Sequence, residues 1–491
     1  MAAAVVVGLV PVAVGAVGIA RAAGEVYTAR DGGAPPAPVD TAAAPAHDPG
    51  KPTAVMVLSQ EGTNVADVLA PYEVLAHTGA FNLYTVAARR QPVPLTGGLD
   101  LVPDLSFGQL DDRLPASPDV IVVPQLHDAG KPSAAPIVQW LRRQRAQGDP
   151  LLVSVCVGAE VLASAGVLDG RPATSHWLGL IGLRRNYPAV RWQDGVRYVD
   201  DGDVITTAGV LSGVDGALRV VERMVGRPAA EQAARAVRWP AYSPGGAAPI
   251  RRARPAPPDV VGLLSAAYRW DRPNMGVLLT EGVGETELAA AFRPYTELSY
   301  LARPLAVTLG GQPVRSRHGL TFVPRADLAT AAPRLDRLVV PGADAARRAE
   351  AQGLSLPERL TPVHLHQGDS GFAFGAALRD IARTRDVATA RWVAKTLQYP
   401  TPNPRLDGPA WPWALTLRPV LLVAGGVAVA LGIRFLRRRE QIVRAVTTVR
   451  GRALRRLVRH YLEMVLVMVA GMVVLGRAES VLLDPFGWAG L

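Results

Sequence analysis

The chain has 491 residues, too many for one ordinary core, and is 49% hydrophobic with a mean hydropathy of +0.16, high for a soluble enzyme. A single cysteine, Cys156, excludes an intrachain disulfide and a cysteine-based zinc site. The net charge of +11 is concentrated between Arg434 and Arg459, where Arg437, Arg438, Arg439, Arg444, Arg450, Arg452, Arg455 and Arg456 are opposed only by Glu440; a basic block between apolar stretches signals membrane topology rather than nucleic-acid binding.

Residues 2–20 are uncharged and about long enough to cross a bilayer, with no basic segment before them. They read as an uncleaved anchor over 1–21, a cleaved signal being the competing reading. Residues 22–51, rich in Ala, Pro, Gly and Asp, read as a tether. From Thr53 the pattern changes. AVMVLS, VIVVP (Val120–Pro124) and LLVSV (Leu151–Val155) read as buried parallel strands, and PIVQWLRRQRAQG between the last two has a helical period ending at a glycine. Continuous apolar strands alternating with helices predict an α/β domain over 52–240, its parallel sheet covered on both faces. A strand pair around RYVDDGDVITTAG and a helix from near Val214 close it, and a Pro/Gly/Arg-rich linker follows over 241–258.

An internal repeat comes next. GVLLTEGVGETELAAAFRPYTEL, from Gly276, matches AVMVLSQEGTNVADVLAPYEVL, from Ala54, with a three-residue insertion, and RLDRLVVPG echoes SPDVIVVPQ. Residues 259–400 therefore read as a degenerate, partial copy of the first domain. Aligning Pro294 with Pro71 puts Ala290 where Asp67 stands, and no strand-Cys-helix unit follows; the segment passes through VHLHQGDSGFAFGAAL to a helix ending near Tyr399. Residues 411–433, interrupted by Arg418, read as a membrane helix, 434–460 as a basic cytoplasmic segment, and 461–476, carrying Glu463, as a weaker membrane helix. That places both globular pieces outside the cytoplasm, at the cell membrane.

LLVSVCVGAEVLASAG (residues 151–166) has the layout of a nucleophile elbow: a buried strand runs into Cys156, and Gly158 opens a helix of small residues. The helix dipole is expected to lower the thiol pKa, and the Val157 N–H could hold an oxyanion. The competing reading is a buried, inert cysteine. SVCVGAEVLASAGVLDGRPATSHW, VRYVDDGDVITTAGVLSGVDGALRVVERMVG and ADVLAPYEVL together resemble the ThiJ/PfpI (class I glutamine-amidotransferase-like) superfamily over roughly 53–240. The resemblance is strongest to its isonitrile hydratase-like branch, which also supplies the N-terminal domain of some AraC-type regulators.

The resemblance implies a flavodoxin-like fold, with Cys156 as the site residue, Asp67 as the acid beside it and His176 (in ATSHW) near it. It implies no cofactor and no metal; His364 and His366 have metal-like spacing without a third ligand. His127 is a weaker site candidate, and Glu73 is expected on a helix surface. Two departures stand out. Val157 replaces the family's histidine or hydroxyl residue, removing Cys-His peptidase chemistry, and Gln125-Leu126-His127 replaces a Gly-rich turn. The implied function is a hydrolase, hydratase or lyase acting on a small molecule, the alternative being a non-catalytic ligand or redox sensor. A DNA-binding regulator is excluded, because Gly226–Tyr242 runs straight into the linker. Since the superfamily commonly dimerises, the half-domain is expected in the partner position, as a pseudo-dimer.

Overall fold

The uncharged N-terminal run forms one helix, α1 (Ala2–Gly24), which continues through Pro11. The computed structural model describes residues 2–28, 44–246, 249–342, 356–357, 359–401, 404–446 and 459–468, with positions 344 and 347. Half of the tether (residues 29–43), the segment 447–458 of the basic block and 469–476 of the third apolar stretch lie outside them; residues 459–468 are helical.

Aliphatic side chains on both faces bury β1 (Thr53–Val57) along its whole length. It pairs with β2 (Asn82–Ala87) and β6 (Val120–Val123), and the sheet continues to β5 (Leu105–Ser106) on one side and to β7 (Leu151–Ser154), β11 (Val204–Thr207) and β10 (Tyr198–Asp200) on the other. The order is β10-β11-β7-β6-β1-β2-β5, parallel except between β10 and β11.

Alternation along the strands divides the core. Ala54, Met56, Val122 and Val153 face α2 (Val65–Ala76), α7 (Ser212–Met224) and α8 (Arg227–Ala236). Val55, Val57, Ile121 and Leu152 face α3 (Phe107–Arg113), α4 (Ala135–Gln147) and α5 (Ala159–Ser164). Short elements fill the edge: β8 (Pro172–Thr174), β9 (Arg191–Gln193) and α6 (Leu180–Asn186). The predicted three strands and the helix between two of them are β1, β6, β7 and α4; the closing helix starts at Ser212 rather than near Val214.

After α9 (Val260–Tyr268), a second parallel sheet is built from β12 (Asn274–Leu278), β13 (Arg303–Thr308), β16 (Ala326–Asp327), β17 (Arg337–Val340) and β18 (Pro362–His364), in the order β16-β13-β12-β17-β18. Its helices are α10 (Glu285–Phe292), α11 (Leu328–Ala331), α12 (Phe374–Thr384) and α13 (Val387–Leu397). The single helix expected to end near Tyr399 is thus two, broken at Arg385-Asp386, where the Asp386 carboxylate caps α13.

The hairpins β3 (Val93–Leu95) with β4 (Leu99–Val102), and β14 (Val314–Arg315) with β15 (Thr321–Val323), join through β4–β15 into one antiparallel sheet, Leu101 opposite Phe322. At the end of this junction the Arg325 guanidinium grips both Asp100 oxygens, at 2.8 and 3.1 Å. Both sheets therefore lie in one compact unit, Ala23–Gly262 with Asp271–Trp411.

The other unit comprises Met1–Ala22, Leu263–Trp270 and Pro412–Leu491. It contains α14 (Trp413–Val446), whose stretch Trp413–Arg438 is the one described helix long and apolar enough to cross a membrane. The expected half-domain boundary at 259 moves accordingly: Leu263–Trp270 sorts with the terminal helices, and the second sheet begins at Asn274.

Candidate functional site

The elbow follows from three consecutive backbone choices. Val155 is still extended and its N–H donates to the Val123 carbonyl at 2.9 Å, continuing the β7 pairing. Cys156 then turns into the left-handed region, φ +57°, which a non-glycine residue adopts only when its surroundings enforce it. Gly158 closes the turn against β6: a Cβ there would lie 2.2 Å from the Val123 carbonyl oxygen.

The sulfur is buried, the residue being 2% exposed. Its S–H donates to Gln125 Oε1 at 3.3 Å. Gln125 in turn donates through Nε2 to Glu297 Oε1 at 2.6 Å, and Asn64 Nδ2 donates to Glu297 Oε2 at 2.7 Å. Glu297, which follows α10 in the second half, is held by Arg293, Nε to Oε2 at 3.2 Å. Asp67 approaches from the first turn of α2, where the Asn64 side chain caps the helix; one of its oxygens accepts the Gln125 N–H at 3.1 Å, and the other has no partner among the described residues.

Electrostatics here favour protons. Burial pushes the Cys156 thiol well up, Asp67 and Glu297 add to it, and Arg293 with the Val157 N–H only partly offsets them. Burial, helped by Glu297, raises Asp67 as well, against the Gln125 N–H and Arg293. The expectation of a depressed thiol pKa is therefore overturned. α5 has only six residues and begins three positions after the cysteine, so its dipole is short, whereas desolvation acts on the sulfur itself.

His176 is buried with both ring nitrogens engaged: Leu178 N–H donates to Nδ1 at 3.4 Å, and Nε2–H donates to the Thr396 carbonyl at 2.8 Å. Burial lowers its pKa to about 4, so it is neutral. It reaches the elbow only through its neighbour, whose Ser175 hydroxyl donates to the Cys156 carbonyl at 2.8 Å. His127 packs against Tyr27 with the rings tilted by 37° and their centroids 4.8 Å apart, and burial lowers its pKa. Cys156 and Asp67 are thus brought together around Gln125, while His176 and His127 point elsewhere. Gln125, noted from sequence only as part of an altered turn, completes the site together with Arg293 and Glu297, which were not singled out.

Glu73 is not on a helix surface. It is buried where α2 meets α10, accepting the Thr286 N–H at 2.7 Å and pairing with Arg317 at 3.1 Å. Burial opposes its ionisation, but His77, Thr286 and Arg317 outweigh that and lower its pKa. Beside it His318 Nδ1 meets Glu285 Oε2 at 2.8 Å, and the His77 and His318 rings lie edge to face at 4.8 Å. Glu73, Glu285 and His318 bring ligand-type atoms within 4.8 Å of one another. Those carboxylate oxygens are already held by Arg317, Ser316 and backbone N–H groups, so the cluster reads as an ion-pair lock.

Glu285 raises the His318 pKa despite burial. A raised histidine stabilises fully below its unfolded pKa of about 6.5, and the contribution is lost as pH rises through the folded value. Melting the full chain from acid to alkaline pH should show stability declining as pH rises through the folded value, an effect damped by partial exposure. His318→Gln should flatten this part of the profile; an unaltered profile would refute the lock.

The second sheet has a counterpart of the elbow. Leu365 N–H donates to the Val340 carbonyl at 3.1 Å, as Val155 does to Val123, so His366 stands after β18 where Cys156 stands after β7. Its Nδ1 accepts the Gly342 N–H at 2.9 Å, and burial lowers its pKa to about 4. Thr63 and Val283 make matching parallel bridges to Leu95 and Ser316, and α2 and α10 each start two residues later. Asp67 and Glu287 are each the third residue of their helices.

A cysteine on a strand-to-helix turn, an acid on the first helix and a flavodoxin-like sheet define a class. The DJ-1/PfpI family profile matches residues 53–223. Over 166 residues the chain is 33% identical to an isonitrile hydratase of Pseudomonas putida, covering 33% of this chain and 67% of that protein. Over 156 residues it is 28% identical to the HTH-type transcriptional regulator CdhR of Pseudomonas aeruginosa, covering 32% of this chain and 44% of that one. A crystal structure of a ThiJ/PfpI family protein from Pseudomonas syringae is 28% identical, with a TM-score of 0.35, covering 40% of this chain and 78% of its own. The chain belongs to the DJ-1/PfpI family.

Proposed function

We propose that this is a membrane-anchored DJ-1/PfpI protein that binds a small molecule beside Cys156 and acts as a sensor, its second half-domain holding the site closed. The observation that carries this reading is Glu297: a carboxylate from the second half, bonded to the Gln125 side chain that accepts the Cys156 S–H hydrogen bond. A nucleophile at neutral pH needs a thiolate, and this arrangement disfavours one. The degenerate-copy reading of 259–400 is supported by strand order, β5-β2-β1-β6-β7 against β16-β13-β12-β17-β18, and by His366 at the elbow position. The packing of α2 on α10, with Glu73 bonded to Thr286, supports the pseudo-dimer.

Anchoring rests on α1 and the apolar helix Trp413–Arg438, and the arginine block supports a topology with residues 22–410 outside the cytoplasm. A Cys-dependent hydratase, hydrolase or lyase is the second reading. It is favoured by Asp67, whose pKa burial raises, beside an elbow cysteine and by the likeness to an isonitrile hydratase. Incubating the detergent-solubilised full chain with an alkyl isonitrile separates the two, since water addition to the isonitrile carbon gives an N-substituted formamide detectable by NMR. The sensor reading expects no formamide above background; formation that disappears in Cys156→Ser would establish the enzyme instead.

A further inference from the structure

Between Val260 and Tyr268 the sequence VVGLLSAAY has no charged residue. From sequence it belonged to a soluble half-domain, yet Leu263–Trp270 shares a compact unit with Met1–Ala22 and Pro412–Leu491. The contacts inside that unit are close. A Cβ on Gly18 would lie 2.0 Å from the Ala267 carbonyl oxygen, and one on Gly15 would lie 3.0 Å from the Tyr268 hydroxyl. The Tyr268 hydroxyl donates to the Pro11 carbonyl at 3.0 Å. Small residues that let two helix backbones touch are the usual packing device of helices in lipid.

Arg418 fixes the depth. It lies in the second turn of α14, about 7 Å from the helix start at 1.5 Å per residue. Its Nη1 donates to the Tyr268 carbonyl at 2.7 Å, and its guanidinium lies 5.0 Å from the centre of the Trp270 ring. The charge that interrupts the apolar helix is thereby satisfied by the end of α9, which must sit at the same level. An arginine with a tryptophan just inside the start of an apolar span is the composition of a membrane interface. Leu264 and Ala267 are turned inward, and Arg269 is buried against Ser265, whereas Leu263 is 58% and Trp270 51% exposed.

We infer that α9 is an interfacial membrane helix, lying at headgroup depth beside α1 and the start of α14 with Leu263 and Trp270 against lipid. Lipid is the occupant because the exposed apolar face is continuous with helices whose own exposed positions, Val17, Ile19, Leu417 and Val420, are apolar. The inference rests on the membrane-anchored reading above, and the test separates the two.

Full-length Leu263→Cys, Val423→Cys and Ser243→Cys proteins are each labelled with an NBD maleimide in lipid nanodiscs; Cys156 is buried, and labelled wild type gives the background. Shallow doxyl-labelled lipid should remove most of the emission at 263 and iodide little, while at 243 iodide should quench strongly. Emission at 263 quenched by iodide but not by doxyl lipid, with 423 quenched by lipid, overturns the α9 inference alone. Lipid quenching at neither 263 nor 423 overturns the membrane reading with it.

Discussion

Glu297→Gln should make Cys156, a thiol that resists alkylation at neutral pH, react faster at any given pH, because thiolate content rises as the pKa falls. In the wild-type chain, burial disfavours the thiolate first, and the Asp67 and Glu297 carboxyls disfavour it further. Neutralising Glu297 removes one of those charges and loosens the bonds that hold Gln125 over the sulfur. Asp67→Asn should move the profile in the same direction but less, because burial already favours a proton on Asp67.

The measurement is iodoacetamide labelling of the full chain against pH. Wild type should label appreciably only well above the free-cysteine value of about 8.5. The same raised pKa makes the buried thiol a stabilising group below that value; its contribution falls away as pH rises past it and the unfolded chain loses its proton first. Labelling of wild type at neutral pH at the rate of a free thiol, or a Glu297→Gln profile that does not move, would refute a thiol held closed by the second half-domain.

Gly158→Ala should be strongly destabilising despite adding only one methyl group. Its added methyl would meet the Val123 and Pro124 carbonyl oxygens at 2.2 and 2.7 Å and the Pro124 carbonyl carbon at 2.9 Å. All three are backbone atoms at the end of a central strand, so no side chain can swing aside and either β6 or the elbow must move. Overpacking of this kind costs about 1–3 kcal/mol and more where the backbone resists. The expected result is a clearly lowered melting temperature together with a Cys156 that labels in the native state. Gly182→Ala, in α6 with nothing near its Cβ, is the control and should melt like wild type or slightly higher. A Gly158→Ala chain as stable as wild type would show that the elbow does not pack as tightly as its geometry indicates.

The DJ-1/PfpI fold was legible because its signals are short-range. Apolar runs of strand length mark β1, β6 and β7, a helical period marks α4, and the Val-Cys-Val-Gly sequence marks a strand-to-helix turn that closes on a glycine. The same local reading separated the apolar termini from the globular interior. What it could not supply was the environment of the sulfur. Glu297 lies 172 positions from Gln125 in sequence and 2.6 Å from it in space, and no periodicity links them. Glu73 looked like an ordinary helix-surface acid until α10 covered it, and α9 looked like the start of a soluble domain until Arg418 was found bonded to its end. Sequence fixes which backbone conformations are cheap, residue by residue. Whether a cysteine is a thiolate depends on how much water and which charges surround it, and those are settled only when distant segments pack together.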